Sequence, residues 1–407
     1  MNRIKAKYQM EMPEEQAGFV EGKGTRDQLV NIRMLIEKCH DHGIPLYVGF
    51  IDYAKAFDCV SHELLWHAMT EMGFPSHIVN LINSLYHQQE SAVRTAEGLT
   101  DWFTIGRGVR QGCPMSPALY NIYAESIMRE ALEGFFGGIS IGGRMVSNLR
   151  FADDTTLVSS SKEELDDLLR RVKEASKTRH LLLNIQKTKI MVLDNNRPEN
   201  DPFIIDGERI EEVDSFVYLG SLINNKGSTT QELRRRLAIG REAVQKLATI
   251  WKSRGVTITM KVRVLQAIVF PAALYGCEAW ALTPTDQRRL DAFEMWCYRR
   301  LLRISWMERC TNERVLERIG SDLVLRKAMT KRKLLLFGHL MRRSGSLEKV
   351  LIQGKVEGKR RRGRPATPWF QTIRDTTGVG LAAAAQLAAN RQGWRGIIRT
   401  TAAPGAT

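Results

Sequence analysis

Two periods of apolar residues organise this chain. Leu29, Ile32, Leu35 and Ile36 recur at helical spacing and stop before Gly43 and Pro45, which predicts a helix in the second half of the first 47 residues. Residues 46–51 are an unbroken apolar run, short enough to be a buried strand, and they deliver Asp52 at their end. Ser61 is placed to cap a helix over 62–72, and Ser76 to cap another reaching Tyr86. Residues 91–105 read as a hairpin. Ser116 and Pro117 take the N-cap and N1 positions of a helix running to about Leu132. Residues 139–158 read as strands, the last pair a hairpin around Asp153 and Asp154. Ser161 and Glu164 form a capping box for a helix with Leu165, Leu168, Leu169 and Val172 on one face. A strand over 188–193 follows, then short strands up to 216–220. From Thr229 the pattern is helical again, with Leu233, Leu237, Val244, Leu247 and Trp251 on one face.

Composition narrows what these elements are for. A hydrophobic content of 43% in 407 residues supports a globular body of two or three domains. The net charge of +15 favours a polyanionic partner, nucleic acid before membrane. The most apolar stretch, 262–282, carries Arg263, Gln266, Pro271 and Glu278, so it reads as buried helix broken near the proline rather than a membrane span. Arg234, Arg235, Arg236, Arg241, Lys246 and Lys252 lie off the apolar face, and their single sign favours contact with backbone phosphates. A Gly/Arg-rich tail near 354–368, with its basic run at 359–364, is expected to be mobile and to bind nucleic acid or an import receptor.

The candidate chemistry is carboxylate chemistry. Asp153 and Asp154 sit in an otherwise apolar run, and buried carboxylates are costly unless a cation compensates them. If the fold brings Asp52 to Asp153, the pair can hold two Mg²⁺ ions for an in-line phosphoryl or nucleotidyl transfer. Between them, the Gly-rich segment of Arg110, Gln111 and Gly112 lets backbone approach a ligand closely.

In sequence and order these pieces resemble the palm of reverse transcriptases. The resemblance is closest to those of non-LTR (LINE-type) retrotransposons, whose catalytic hairpin reads Phe-Ala-Asp-Asp, as residues 151–154 do here. It covers residues 14–224 and continues more loosely through the helical region, where a Gly-Arg-Pro followed by Trp369 also recurs in such elements. It implies an α+β right-hand polymerase fold: an antiparallel palm sheet, remnant fingers, a helical thumb and a basic tail. Asp52 matches the first metal-binding carboxylate and Asp153 the second, with Asp154 shaping the site. Phe57 matches the steric gate that crowds a ribose 2′-OH. Gln111 and Gly112 match the loop touching template and incoming nucleotide, with Arg110 facing phosphate. Lys187 matches the lysine that protonates the leaving pyrophosphate. Tyr218, Leu219 and Gly220 match the primer grip.

The resemblance further implies two Mg²⁺ ions, replaceable by Mn²⁺, with an RNA template, a DNA primer or target and dNTPs as partners, and a nuclear or cytoplasmic location. Expected boundaries are 1–45 for remnant fingers, 46–224 for the palm, 225–345 for the thumb and 346–407 for the tail. The family's upstream finger strands and nuclease domain have no counterpart before residue 14, so the frame reads as N-terminally truncated. The alternative is a truncated relic that binds RNA without polymerising. A nucleotide cyclase is the remaining rival, and it has no template for the 110–112 loop to contact.

Overall fold

Strand β1 (Leu46–Ile51) is buried at every position, as its unbroken apolar run requires. It is the middle of a five-stranded sheet ordered β5-β4-β1-β3-β2, with β2 Asn148–Phe151, β3 Asp154–Ser159, β4 Lys189–Leu193 and β5 Glu211–Glu212. β1 pairs antiparallel with both β3 and β4, and only the short β5 joins in parallel. The computed structural model describes residues 2–194, 197–198, 201–358 and 367–402; the basic run at 359–364 lies outside them.

The chain divides into two compact units, one of residues 1–28 and 43–214, the other of residues 29–42 and 215–407. In the first, helix α1 (Asn2–Glu11) precedes helix α2 (Thr25–His42), whose first turn alone belongs to this unit. Helices α3 (His62–Glu71), α4 (Ser76–Tyr86), α5 (Ser116–Leu132) and α6 (Lys162–Thr178) share one apolar core with the sheet. Residues 90–104 form two short nested ladders, Glu90–Ser91 against Phe103–Thr104 and Arg94–Thr95 against Gly98–Leu99.

Ser61 and Ser161 cap their helices as expected, accepting the N–H of Leu64 and of Glu164. Three local expectations differ. Ser76 lies inside α4, whose N-cap is Pro75; the proline carbonyl already accepts Ile78 and Val79, so no side-chain cap is formed. Ser116 is likewise one position inside α5, with Met115 at the N-cap, and its hydroxyl donates instead to Arg110 O at 2.5 Å. Glu164 does not return to Ser161 N; it accepts Ser160 N and the Ser160 hydroxyl, leaving half a capping box.

The second unit opens with the hairpin β6 (Ser215–Tyr218) and β7 (Ser221–Asn224). Helices α7 (Thr230–Lys246), α8 (Ala248–Lys252) and α9 (Ile258–Val264) follow, and a π turn over Leu265–Val269 leads into α10 (Phe270–Ala273). The break falls at Pro271, which lacks the N–H that would continue the ladder. Then come α11 (Pro284–Leu302), α12 (Asn312–Ile319), α13 (Leu325–Arg342) and α14 (Leu347–Gln353). Past the undescribed run lie α15 (Gln371–Thr377), α16 (Leu381–Ala389) and α17 (Arg391–Ala402). Leu29, Ile32, Leu35 and Ile36 on α2 are all buried, as their spacing predicts.

Trp369 is fully buried in this unit. Its indole N–H donates to Glu278 O at 2.7 Å and its backbone N–H to Glu37 at 2.8 Å. The Lys333 ammonium lies 4.9 Å from its ring centre and donates to Trp280 O. Burial pulls the Lys333 amine down to about 7. No helix among the described residues is long and apolar enough to cross a membrane.

Candidate active site

The sheet register assembles the carboxylates. Ile51 of β1 stands opposite Thr155 of β3, so the next step of the antiparallel ladder sets Asp52 beside Asp154. The tight β2–β3 turn, with Phe151 paired to Asp154, carries Asp153 next to them. The crowding has an electrostatic signature. Loss of solvation pushes the Asp154 carboxyl up to about 6, with the charges of Asp153 and Asp52 adding to it. Asp153 is raised too, first by desolvation and then by Asp52. Among the described residues no group of three His, Cys, Asp or Glu side chains converges on one metal position.

Lys187 arrives from a third direction. Asn184 N donates to Asp52 O at 2.8 Å, and the turn after it closes when Lys187 N donates to Asn184 O. That turn places the ammonium 3.8 Å from Asp52 Oδ2, both side chains being well exposed.

The loop over 107–112 is laced to the segment after Asp52. Val109 N donates to Phe57 O and Gly108 N to Val60 O. Gly108 has φ +92, and a Cβ there would lie 3.0 Å from Asp58 O, so the approach needs glycine. The Phe57 ring stacks on Tyr120 of α5 with centroids 4.3 Å apart and planes at 22°. The Arg110 guanidinium donates to Leu85 O at 2.7 Å and lies over the Tyr86 ring, at the C-terminal end of α4. Gln111 and Gly112 are exposed, and a side chain at Gly112 would meet open space.

Several supports escaped sequence reasoning. Ala152, in the β2–β3 turn, has φ +57, an unfavourable region for a residue with a Cβ. Gln16, itself buried, accepts both Gly18 N and Ala152 N through its Oε1. Gly18 is pressed so closely on the turn that a Cβ would lie 2.2 Å from Ala152 N. Gln28 bridges Glu15 O and Arg150 O. Arg150 of β2 forms a buried ion pair with Glu125 of α5 at 2.8 Å. The Tyr120 hydroxyl is buried with no hydrogen-bond partner among the described residues. The one available signal was the short polar segment around Gln16 itself, which the sequence marks only as preceding the palm.

Tyr218, Leu219 and Gly220 belong to the second unit. Leu219 (φ +45) and Gly220 (φ +76) make the β6–β7 turn. Leu219 O accepts the Tyr275 hydroxyl at 2.9 Å, and Gly220 O accepts Arg235 and Arg236. Arg236 is in turn paired with the buried Glu232, which also accepts Leu222 N.

Comparison with known proteins places the chain in a family. The profile of the family described as reverse transcriptase (RNA-dependent DNA polymerase) matches residues 1–223. The Pol polyprotein of the R2 retrotransposable element of Nasonia vitripennis is 26% identical over 222 residues, 52% of this chain and 22% of that protein. The RNA-directed DNA polymerase of the Drosophila melanogaster X-element is 24% identical over 310 residues, 74% of this chain and 33% of that protein. A transposon-derived protein of Caenorhabditis elegans is 27% identical over 281 residues, 64% of this chain and 97% of its own length. The chain thus spans about a fifth to a third of the two polymerase relatives. Telomerase from Candida albicans, solved with a fragment of telomeric RNA, aligns over 79% of this chain and 56% of its own at 11% identity, with a TM-score of 0.48. With the profile covering the whole carboxylate-bearing sheet, and relatives encoded by non-LTR retrotransposons, the chain belongs to the reverse transcriptase family.

Proposed function

We propose that this chain is an RNA-directed DNA polymerase of a non-LTR retrotransposon, extending a DNA primer on an RNA template with dNTPs. The observation that carries the reading is the juxtaposition of Asp52, Asp153 and Asp154 at the ends of adjacent strands, with Lys187 beside them. The donor set suits Mg²⁺. It is all oxygen, its mutual repulsion is relieved by a cation, and Mg²⁺ keeps waters that substrate phosphate can replace. Asp52 and Asp153 are the residues that would hold the ions, which when bound supply charge stabilisation to the attacking and leaving oxygens. Mn²⁺ fits the same donors.

The protein's own groups then have distinct tasks. Lys187, on its turn beside Asp52, donates a proton toward the departing pyrophosphate. Phe57, backed by Tyr120, presents a ring that crowds a ribose 2′-OH and favours deoxynucleotides. The 110–112 loop offers Gln111 and open backbone at Gly112 to template and nucleotide. Gly112 leaves room for that approach. Tyr218, Leu219 and Gly220 are read as the primer grip. The segment 1–45 is read as fingers, 46–224 as palm, 225–345 as thumb and 346–407 as tail; work on chromosomal target DNA would place the protein in the nucleus.

Primer extension on an RNA template with Mg²⁺ and dNTPs tests this, with Asp153→Asn as the paired control. Incorporation by the native chain alone is expected. Equal incorporation by the variant would remove the metal assignment. Silence from both, with RNA still bound, would favour the non-catalytic RNA binder.

A further inference from the structure

Away from the carboxylates, the second unit carries a groove of ≈ 800 Å³ lined by Val244, Ala248, Trp251, Trp296, Arg300 and Arg303, among others. That volume is in the range of about 300–1,000 Å³ common for ligand clefts. Its chemistry is one-sided. Lys252, Arg299, Arg300 and Arg303 line it, and no Asp or Glu does. None of the four forms an ion pair among the described residues; Arg299 spends its guanidinium on Cys310 O and Asn312. Glu308, in the short 3₁₀ turn beyond, is turned onto Ser305 N at 2.7 Å.

The aromatic component is equally specific. Trp296 is half-buried, with the guanidiniums of Arg300 and Arg241 held 5.6 and 5.9 Å from its ring and Phe293 stacked at 21°. Trp251 makes the floor, locked by its indole N–H to Val244 O at 2.7 Å. Arg303 caps α11 at φ +61, a left-handed position where glycine is the usual residue. Keeping arginine there adds its cation to those of Lys252, Arg299 and Arg300 lining the groove.

We propose that this groove holds an unpaired nucleic-acid strand, phosphates on Lys252, Arg300 and Arg303 and a base stacked against the Trp296–Arg300 pair. A cationic wall next to an aromatic face is the arrangement that grips single strands without reading their sequence. A duplex keeps its bases inside and gains nothing from Trp296. The inference goes beyond polymerase chemistry and does not need it, because strand binding is read without incorporation.

Fluorescence anisotropy of labelled single-stranded RNA, single-stranded DNA and a blunt duplex, with the full chain, tests it. Trp296→Leu should weaken both single strands about tenfold and leave the duplex unchanged. Arg300→Glu with Arg303→Glu should weaken them more, and should cut the salt slope for single strands by roughly 1.4, two phosphates' worth. Arg170→Glu with Lys177→Glu, the same charge change on exposed residues of α6, should cost less than about threefold by screening alone. A loss confined to the RNA arm would support the groove and narrow it to RNA. Equal losses from the α6 pair and the groove pair would overturn the proposal. So would unchanged single-strand affinity in a folded Trp296→Leu. If that variant fails to fold, the two arginine variants decide.

Discussion

Gln16 Oε1 accepts the backbone N–H of Ala152 at 3.1 Å, so a residue far upstream holds the turn that presents Asp153 and Asp154. The same oxygen accepts Gly18 N at 2.8 Å. Gln16→Ala removes the acceptor for two buried donors, and each such donor costs ~1–3 kcal/mol. Gly18→Ala acts from the other side, since its Cβ has no room beside Ala152 N. Both variants should lower the thermal midpoint and reduce incorporation, Gly18→Ala more severely. A Gly18→Ala protein that melts and extends primers like the parent would disprove the clamp.

The Asp154 carboxyl, raised to about 6, makes a pH prediction. Its folded pKa is above the unfolded value of about 3.9, so between the two the folded state binds the extra proton. Stability from this group is therefore greatest below about pH 4 and declines as pH rises through about 6. Asp154→Asn should melt higher than the parent at neutral pH, and the gap should close in acid. Asp154 is crowded by its neighbours yet remains solvent-exposed as a residue, so solvent screening keeps the effect modest. Melting curves across that range, without divalent cations, check it; added Mg²⁺ should raise the parent's midpoint more than the variant's.

The Arg150–Glu125 pair is buried on both sides, with only a few per cent of either side chain exposed. Breaking it leaves an uncompensated charge under β2. Glu125→Leu should cost ~3–5 kcal/mol of stability, the usual penalty for orphaning one member of a buried pair. Denaturant melts measure this, and a change below about 1 kcal/mol would show that water or Arg129 partners compensate Arg150 instead.

Phe57 stacked on Tyr120 predicts a change in sugar choice rather than in rate alone. Phe57→Ala should raise ribonucleotide relative to deoxynucleotide incorporation by about tenfold, while Tyr120→Phe, which keeps the stacking ring, should not. Competition assays with paired nucleotides read the ratio. An unchanged ratio in Phe57→Ala would make the ring ordinary core.

The sheet strands, the Asp-bearing hairpin and the Ser61 and Ser161 caps were legible because each is written within a few neighbouring residues. The order of Asp52, Phe57, Gln111 and Asp153, spread over much of the first half of the chain, was readable only through the family resemblance. What the sequence hides is long-range. Nothing near Gln16 announces that its partner is Ala152, and Glu125 on α5 carries no sign of Arg150 on β2. Ser76 and Ser116 were misplaced by one position because the competing partner, a proline carbonyl or the Arg110 carbonyl, comes from local geometry that propensity does not encode. Helix α1 had no apolar periodicity strong enough to mark it, and only a few of its side chains are buried.

Trp369 gives the stretch beyond the basic run a different standing from that of an appendage. Its indole fills the second unit and roofs the Lys333 ammonium. A nonsense change upstream of codon 369 would therefore strip a core pillar and leave a lysine in a cavity with no covering ring. Trp369 would persist in drifting copies for as long as the body must fold, whatever becomes of the arginines before it. Fragments made for expression or crystallisation should run past α17, not stop at the run's edge.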